Sequence, residues 1–130
     1  MIGVDTNLLA RFLLKDDAAQ HRRAVAALET GEEITIPVTV LLELAWVLSA
    51  RDSTREEIVA SLRGILGLPH ARAQHPEAVR KALGWADKGM DIADALHLAL
   101  CDRAARFLTF DVALARRAAR LGAKPPASTP

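Results

Sequence analysis

Four acids in this chain sit in company that acids rarely keep. Asp5 lies in IGVDTNLL, Glu43 in VTVLLELAWVL, Asp94 in MDIADALHLAL and Asp111 in FLTFDVAL. Charged residues usually occupy solvated faces, and a carboxylate among apolar residues is either paired or held for a purpose. If the four converge, repulsion sets the chemistry. Two carboxylates about 4 Å apart repel by roughly 4 kcal/mol at an effective dielectric of about 20. Several could stay ionised together only around a cation. Oxygen ligands without a Cys or His set select a hard divalent ion, Mg²⁺ or Mn²⁺. Such an ion can activate water and stabilise the charge that develops on a phosphodiester.

Each acid also has a purely structural reading. Asp5, with Thr6 and Asn7, could cap a first helix, and Asp111 heads a clean amphipathic one. Asp91 could cap a helix whose first turn would then hold Asp94, where the helix dipole favours negative charge. Glu43 resists this treatment. With Thr39 as cap, the capping-box position falls on Leu42, and the helical neighbours of Glu43 are Thr39, Val40, Trp46 and Val47.

The elements that must position these acids can be read from the pattern. Ile2-Gly3-Val4 predicts a buried strand feeding a helix over Leu8 to Leu14, followed by a second helix from about Asp17 to Glu29 that Gly31 stops. Ile34-Thr35-Ile36 predicts a strand, and Pro37 through Thr39 opens an apolar helix to about Ala50. Ser53 or Thr54 can cap the next helix, which carries Ile58, Leu62 and Ile65 and ends near Gly67. A short strand fits within His70 to His75, and Pro76 suits the first position of a helix ending near Gly89. Asp91 to Arg103 predicts a helix, Phe107 to Phe110 a strand, and Asp111 to Leu121 a helix closed by Gly122. Unbroken apolar strands alternating with helices imply an α/β fold of three layers, α/β/α, around a central parallel sheet of four or five strands. In such sheets, sites form beyond the carboxyl ends of the strands, where Asp5 and Asp111 fall.

Composition bounds the function. At 130 residues the chain is one domain by length, expected over residues 1–124, and 125–130, rich in Pro and small residues, is expected to be a disordered tail. Its charged fraction of 25% and apolar fraction of 51% are those of a globular protein. With two Trp, three Phe and no Tyr, aromatic platforms for stacking bases are not expected. The net charge of +1 leaves any nucleic-acid binding to local basic patches. Cys101 is the only cysteine, and MIGVDTN lacks the features of a signal peptide, so a cytoplasmic protein is expected.

VDTNLL near the amino terminus, then LLELAWVL, DIADALHLA and LTFD, resemble in order and spacing the motifs of the PIN domain, and of the VapC-type toxins in particular. The resemblance covers Ile2 to about Ala123 and implies a metal-dependent endoribonuclease, the toxin of a toxin–antitoxin pair, using Mg²⁺ or Mn²⁺. It makes Asp5, Glu43 and Asp94 the first three acidic ligands and catalytic positions, and Asp111 the fourth, which in the family varies and often acts through water. Asp91 matches a secondary acid, and Thr6 or Asn7 would support Asp5 by hydrogen bonding. The resemblance further implies an RNA substrate, a homodimer and a cognate antitoxin protein.

Other features point elsewhere or nowhere. His97, three residues after Asp94, reads as a structural histidine, and His21, His70 and His75 show no ligand spacing. Trp46 and Trp85 read as core or dimer contacts. Arg11, Lys15, Arg22 and Arg23, with Arg116, Arg117 and Arg120, are the basic residues available for phosphate contacts, though any one of them also fits a solvated helix face. A phosphoryl-aspartate domain would need a second acid two residues after Asp5, where Asn7 stands, or the paired acids and late Lys of a receiver. A non-catalytic interaction module and an RNA-processing nuclease that is not a toxin are the remaining alternatives.

Overall fold

A computed structural model describes residues 1–130. It is α/β, with seven helices and five short strands, and it divides into two compact units, Met1–Gln74 and His75–Pro130.

In the first unit, β1 (Ile2–Gly3), β2 (Ile34–Ile36) and β3 (Ala71–Ala73) form a parallel sheet in sequential order, with Ile2 opposite Ile34 and Ile34 opposite Ala71. Two helices join each pair of strands: α1 (Thr6–Leu14) and α2 (Ala18–Leu28), then α3 (Val38–Ala50) and α4 (Arg55–Leu66). Parallel strands need such crossovers, because a tight hairpin cannot return the chain to the same end. The core is built from strand and helix together: Leu9, Ile34, Ile36, Leu41, Leu44, Leu62 and Ile65 are fully buried.

The helix starts follow local chemistry. Asp17 accepts the Gln20 N–H at 3.0 Å, and Thr54 forms a capping box with Glu57 at the head of α4. The start of α3 differs from the expectation of a Thr39 cap. Pro37 occupies the cap position without a side-chain bond, and the Val38 N–H donates instead to Oε1 of Gln74 at 3.2 Å. A side chain distant in sequence thus satisfies one of the donors that every helix start leaves open.

The second unit holds α5 (Pro76–Asp87), α6 (Ile92–Leu100), β4 (Phe107–Leu108), α7 (Val112–Leu121) and β5 (Ala127–Ser128). Pro76 opens α5 as expected, and α5 packs on α6 around buried Ala82, Met90, Ala95 and Leu98. The turn between them passes through Gly89 at φ +105°. A Cβ there would also strike the guanidinium of Arg117. Helix α6 stops at Leu100 rather than Arg103, because the Cys101 N–H turns back to the Leu98 carbonyl at 3.1 Å.

The residues expected to form a disordered tail supply β5 instead. Phe107 N–H donates to the Pro126 carbonyl at 2.9 Å and Thr109 N–H to that of Ser128 at 3.0 Å, so β4 and β5 pair in parallel. Pro lacks a donor but keeps its carbonyl, so a Pro-rich segment can still serve as the accepting side of a ladder. The five strands are all paired in parallel, but as ladders of three and two rather than one sheet of four or five.

Candidate active site

The acids singled out by sequence fall into two groups by what their side chains do. Asp5, Asp91 and Asp111 are all helix caps. Oδ1 of Asp5 accepts the Leu8 N–H at 2.9 Å, heading α1 just past β1. Oδ1 of Asp111 accepts the Leu114 N–H at 3.0 Å, heading α7 just past β4, and its own N–H is tied to Thr109 Oγ1 at 3.0 Å. Oδ1 of Asp91 accepts the Asp94 N–H at 3.0 Å, heading α6. The capping readings of these three acids are therefore realised. They do not displace a ligand role, since each cap bond uses Oδ1 and leaves Oδ2 for another partner.

Asp94 and Glu43 do not cap. Asp94 lies in the first turn of α6, half-buried, and no hydrogen bond holds its carboxylate. Burial pushes its pKa above the usual carboxylate value, the charges of Asp91 and then Asp111 push it the same way, and His97 opposes them. The second unit thus brings Asp91 and Asp111 close enough for their charges to act on Asp94. In the first unit Asp5 heads α1, and Glu43 is exposed on α3. Glu43 has apolar residues on both sides of it in sequence. In the helix, however, the apolar neighbours wrap the opposite side: Leu41, Leu44, Ala45 and Leu48 are buried, while Thr39, Glu43 and Trp46 share the exposed face. Trp46, expected in the core or at a dimer contact, is not in the core, being 58% exposed, and Trp85 is half-buried.

The donor chemistry fits a hard cation. In the second unit it is a set of carboxylate oxygens with repulsion at Asp94 to relieve, and Cys101, the only thiol, closes the far end of α6. Within neither unit do three acidic, His or Cys side chains stand as a preassembled ligand group.

One feature of the first unit was not anticipated from sequence. Between α1 and α2 lies a cleft of about 340 Å³ with Asp5 at its head, walled by Asn7, Arg11, Gln20 and Arg23. The signal was present in the spacing. Asn7 and Arg11 are one turn apart on α1, and Gln20, Arg23, Ala24 and Ala27 lie along one face of α2.

Fold and site together define an α/β protein in which Asp5 and Asp111 head helices just beyond strands. The PIN domain family matches residues 2–120, from β1 into α7, and the chain belongs to that family. PIN domains are in general metal-dependent nucleases using divalent ions such as Mg²⁺. No curated protein matches the chain. No helix is long and apolar enough to cross a membrane.

Proposed function

We propose that this protein is an endoribonuclease, a hydrolase that cuts RNA phosphodiesters with Mg²⁺ or Mn²⁺ and serves as the toxin of a toxin–antitoxin pair in the cytoplasm. Asp5, Glu43, Asp94 and Asp111 are its metal ligands and catalytic acids. The observation that carries the reading is Asp94: a half-buried carboxylate without a structural bond, set against two further acids in a member of a nuclease family. Such a group costs stability unless a cation offsets it.

When bound, a divalent ion makes water nucleophilic at neutral pH and offsets charge developing on the phosphodiester. The chain's own part is orientation. The Leu8 and Leu114 N–H groups fix one oxygen of Asp5 and one of Asp111, so the second oxygen of each has a defined direction. Asp91 anchors the first turn of α6 and with it the backbone that carries Asp94. Preset ligands of this kind lose little conformational freedom on binding. Glu43, exposed on α3, is free to swing toward a ligand. The toxin role brings with it a cognate antitoxin and a homodimer, and exposed Trp46, on the same face of α3 as Glu43, is the residue we assign to a protein contact.

The test is cleavage of RNA by the purified protein with Mg²⁺ or Mn²⁺. Activity should stop in chelator and be lost in Asp5→Asn, Glu43→Gln and Asp94→Asn. Undiminished cleavage in chelator would overturn the metal assignment. Inducible expression of wild type and Asp5→Asn, with mapping of cleaved cellular RNAs, tests the toxin role. Growth arrest and new RNA ends with wild type alone are the expected result.

A further inference from the structure

We propose that the cleft between α1 and α2 is an RNA phosphate-binding subsite, in which Arg23 and Arg11 hold a backbone phosphate adjoining the one at Asp5. The inference rests on the nuclease reading for the identity of the anion, but its geometry stands apart from the acids of the second unit.

The two arginines are prepared for different tasks. Arg11 is fixed: its Nη1 donates to Asp16 Oδ1 at 2.8 Å, and Asp16 Oδ2 accepts from Arg51 Nη2 at 3.0 Å. One carboxylate is thus shared between two guanidinium groups, and the trio keeps a net positive charge. The Nε of Arg11 is buried and has no partner. A buried N–H donor left unmatched is costly. Arg23 is exposed on α2 and enters no ion pair, so its whole charge is available. A planar guanidinium matches phosphate oxygens in pairs, which a lysine ammonium does not.

The cleft also selects among the basic residues. Of Arg11, Lys15, Arg22 and Arg23, only Arg11 and Arg23 line it. Lys15 faces a separate hollow with Phe12 and His21. Ala24 on α2 leaves room between the helices, and the volume of about 340 Å³ suits a group of nucleotide size. Asp5 repels any anion brought close to it without a cation. The phosphate held by the arginines is therefore the neighbour of the reacting one, and the contact positions the strand without reading its sequence.

The experiment uses the full chain, a labelled single-stranded RNA oligonucleotide and chelator throughout, so that binding is read without cleavage. Anisotropy titrations across a salt series compare wild type, Arg23→Gln, Arg11→Lys and, as a control outside the cleft, Arg22→Gln. Arg23→Gln should weaken binding and reduce the slope of log K against log salt by about 0.7, the share of one phosphate on a single strand. Arg11→Lys keeps the charge while losing the planar, paired donors of the guanidinium, so it should weaken binding with little change in slope. Arg22→Gln should match wild type. Equal effects of Arg22→Gln and Arg23→Gln would show diffuse attraction and overturn the subsite, as would wild type that fails to bind RNA. With Mg²⁺ restored, Arg23→Gln should raise KM far more than it lowers kcat, as expected for a positioning residue. Cleavage by wild type with no loss in Arg23→Gln would sink the subsite and spare the nuclease. Selective loss of binding in Arg23→Gln, without cleavage by wild type, would do the reverse.

Discussion

Asp91 and Asp94 are joined by a single bond, from the Asp94 backbone N–H to Asp91 Oδ1 at 3.0 Å, which places two acids on one helix turn. The bond that starts α6 also holds a negative charge beside Asp94, and that charge, after burial, is the largest cause of the raised Asp94 pKa. Capping and electrostatic loading of the candidate site are therefore one arrangement. The same turn depends on the N-terminal end of the helix dipole to temper the repulsion.

That arrangement sets an expectation for Asp94→Asn that needs no substrate. In chelator the Asp94 charge is repelled and partly desolvated, so the near-isosteric amide should leave the melting temperature unchanged or raise it. Mn²⁺ should stabilise wild type, by about 2.7 kcal/mol at a hundred times its dissociation constant. Most of that gain should vanish in the variant. Thermal melts with and without Mn²⁺ decide the matter. Equal destabilisation in both conditions, with wild type indifferent to Mn²⁺, would remove the metal site.

Asp5 and Asp111 call for a paired substitution, because each serves a helix as well as the candidate site. Asn caps about as well as Asp, whereas Ala loses the cap at a cost of about 1 kcal/mol. Asp111→Asn and Asp5→Asn should therefore keep the stability of the metal-free protein and lose response to Mn²⁺. The Ala variants should lose both. A full metal response in Asp111→Asn would confine Asp111 to its capping role.

How much of this could be read from sequence followed from how local each determinant is. The caps at Asp5, Asp91, Asp111 and Thr54 and the Pro76 start were legible, since each is decided within one helical turn. The cap of α3 was not, because Gln74 reaches it from the far end of β3 and no spacing announces such a bond. Strand β5 was hidden for the same reason: its partners at Phe107 and Thr109 are distant in sequence, and its own Pro and small residues signal disorder. The helical neighbours of Glu43, Thr39 and Trp46 among them, were legible from spacing, but which face of α3 stays exposed is decided by what packs against the helix, and no spacing gives that.

Gly89 should be intolerant of any side chain. Its φ of +105° is a conformation that an L-residue adopts at a cost, and Gly89→Ala should destabilise by about 1 kcal/mol or more. The added Cβ would also meet Arg117, but that is the movable end of a long side chain. The double variant Gly89→Ala, Arg117→Ala separates the two causes by chemical denaturation. Recovery of less than half the loss is expected, since the backbone cost remains. Full recovery would place the cost in the Arg117 contact.

Asp16 should give the first unit a pH-dependent strap. The hydrogen bond from Arg11 is the largest cause holding its carboxyl below the usual value; burial opposes it, and the charges of Arg11 and Arg51 add to it. The folded state thus binds the Asp16 proton less readily than the unfolded state does. Its contribution to stability is fully present above the unfolded carboxylate pKa of about 3.9 and is lost as pH falls through the lower folded value. Asp16→Asn should therefore melt below wild type at neutral pH, and the two curves should converge in acid. The group is on the surface, so added salt should shrink the difference. Because Arg11 contributes more than Arg51, Arg51→Gln should raise the Asp16 transition only slightly, as read by carboxyl NMR titration. A gap between wild type and Asp16→Asn that persists undiminished well below the folded pKa would assign the loss to packing rather than charge.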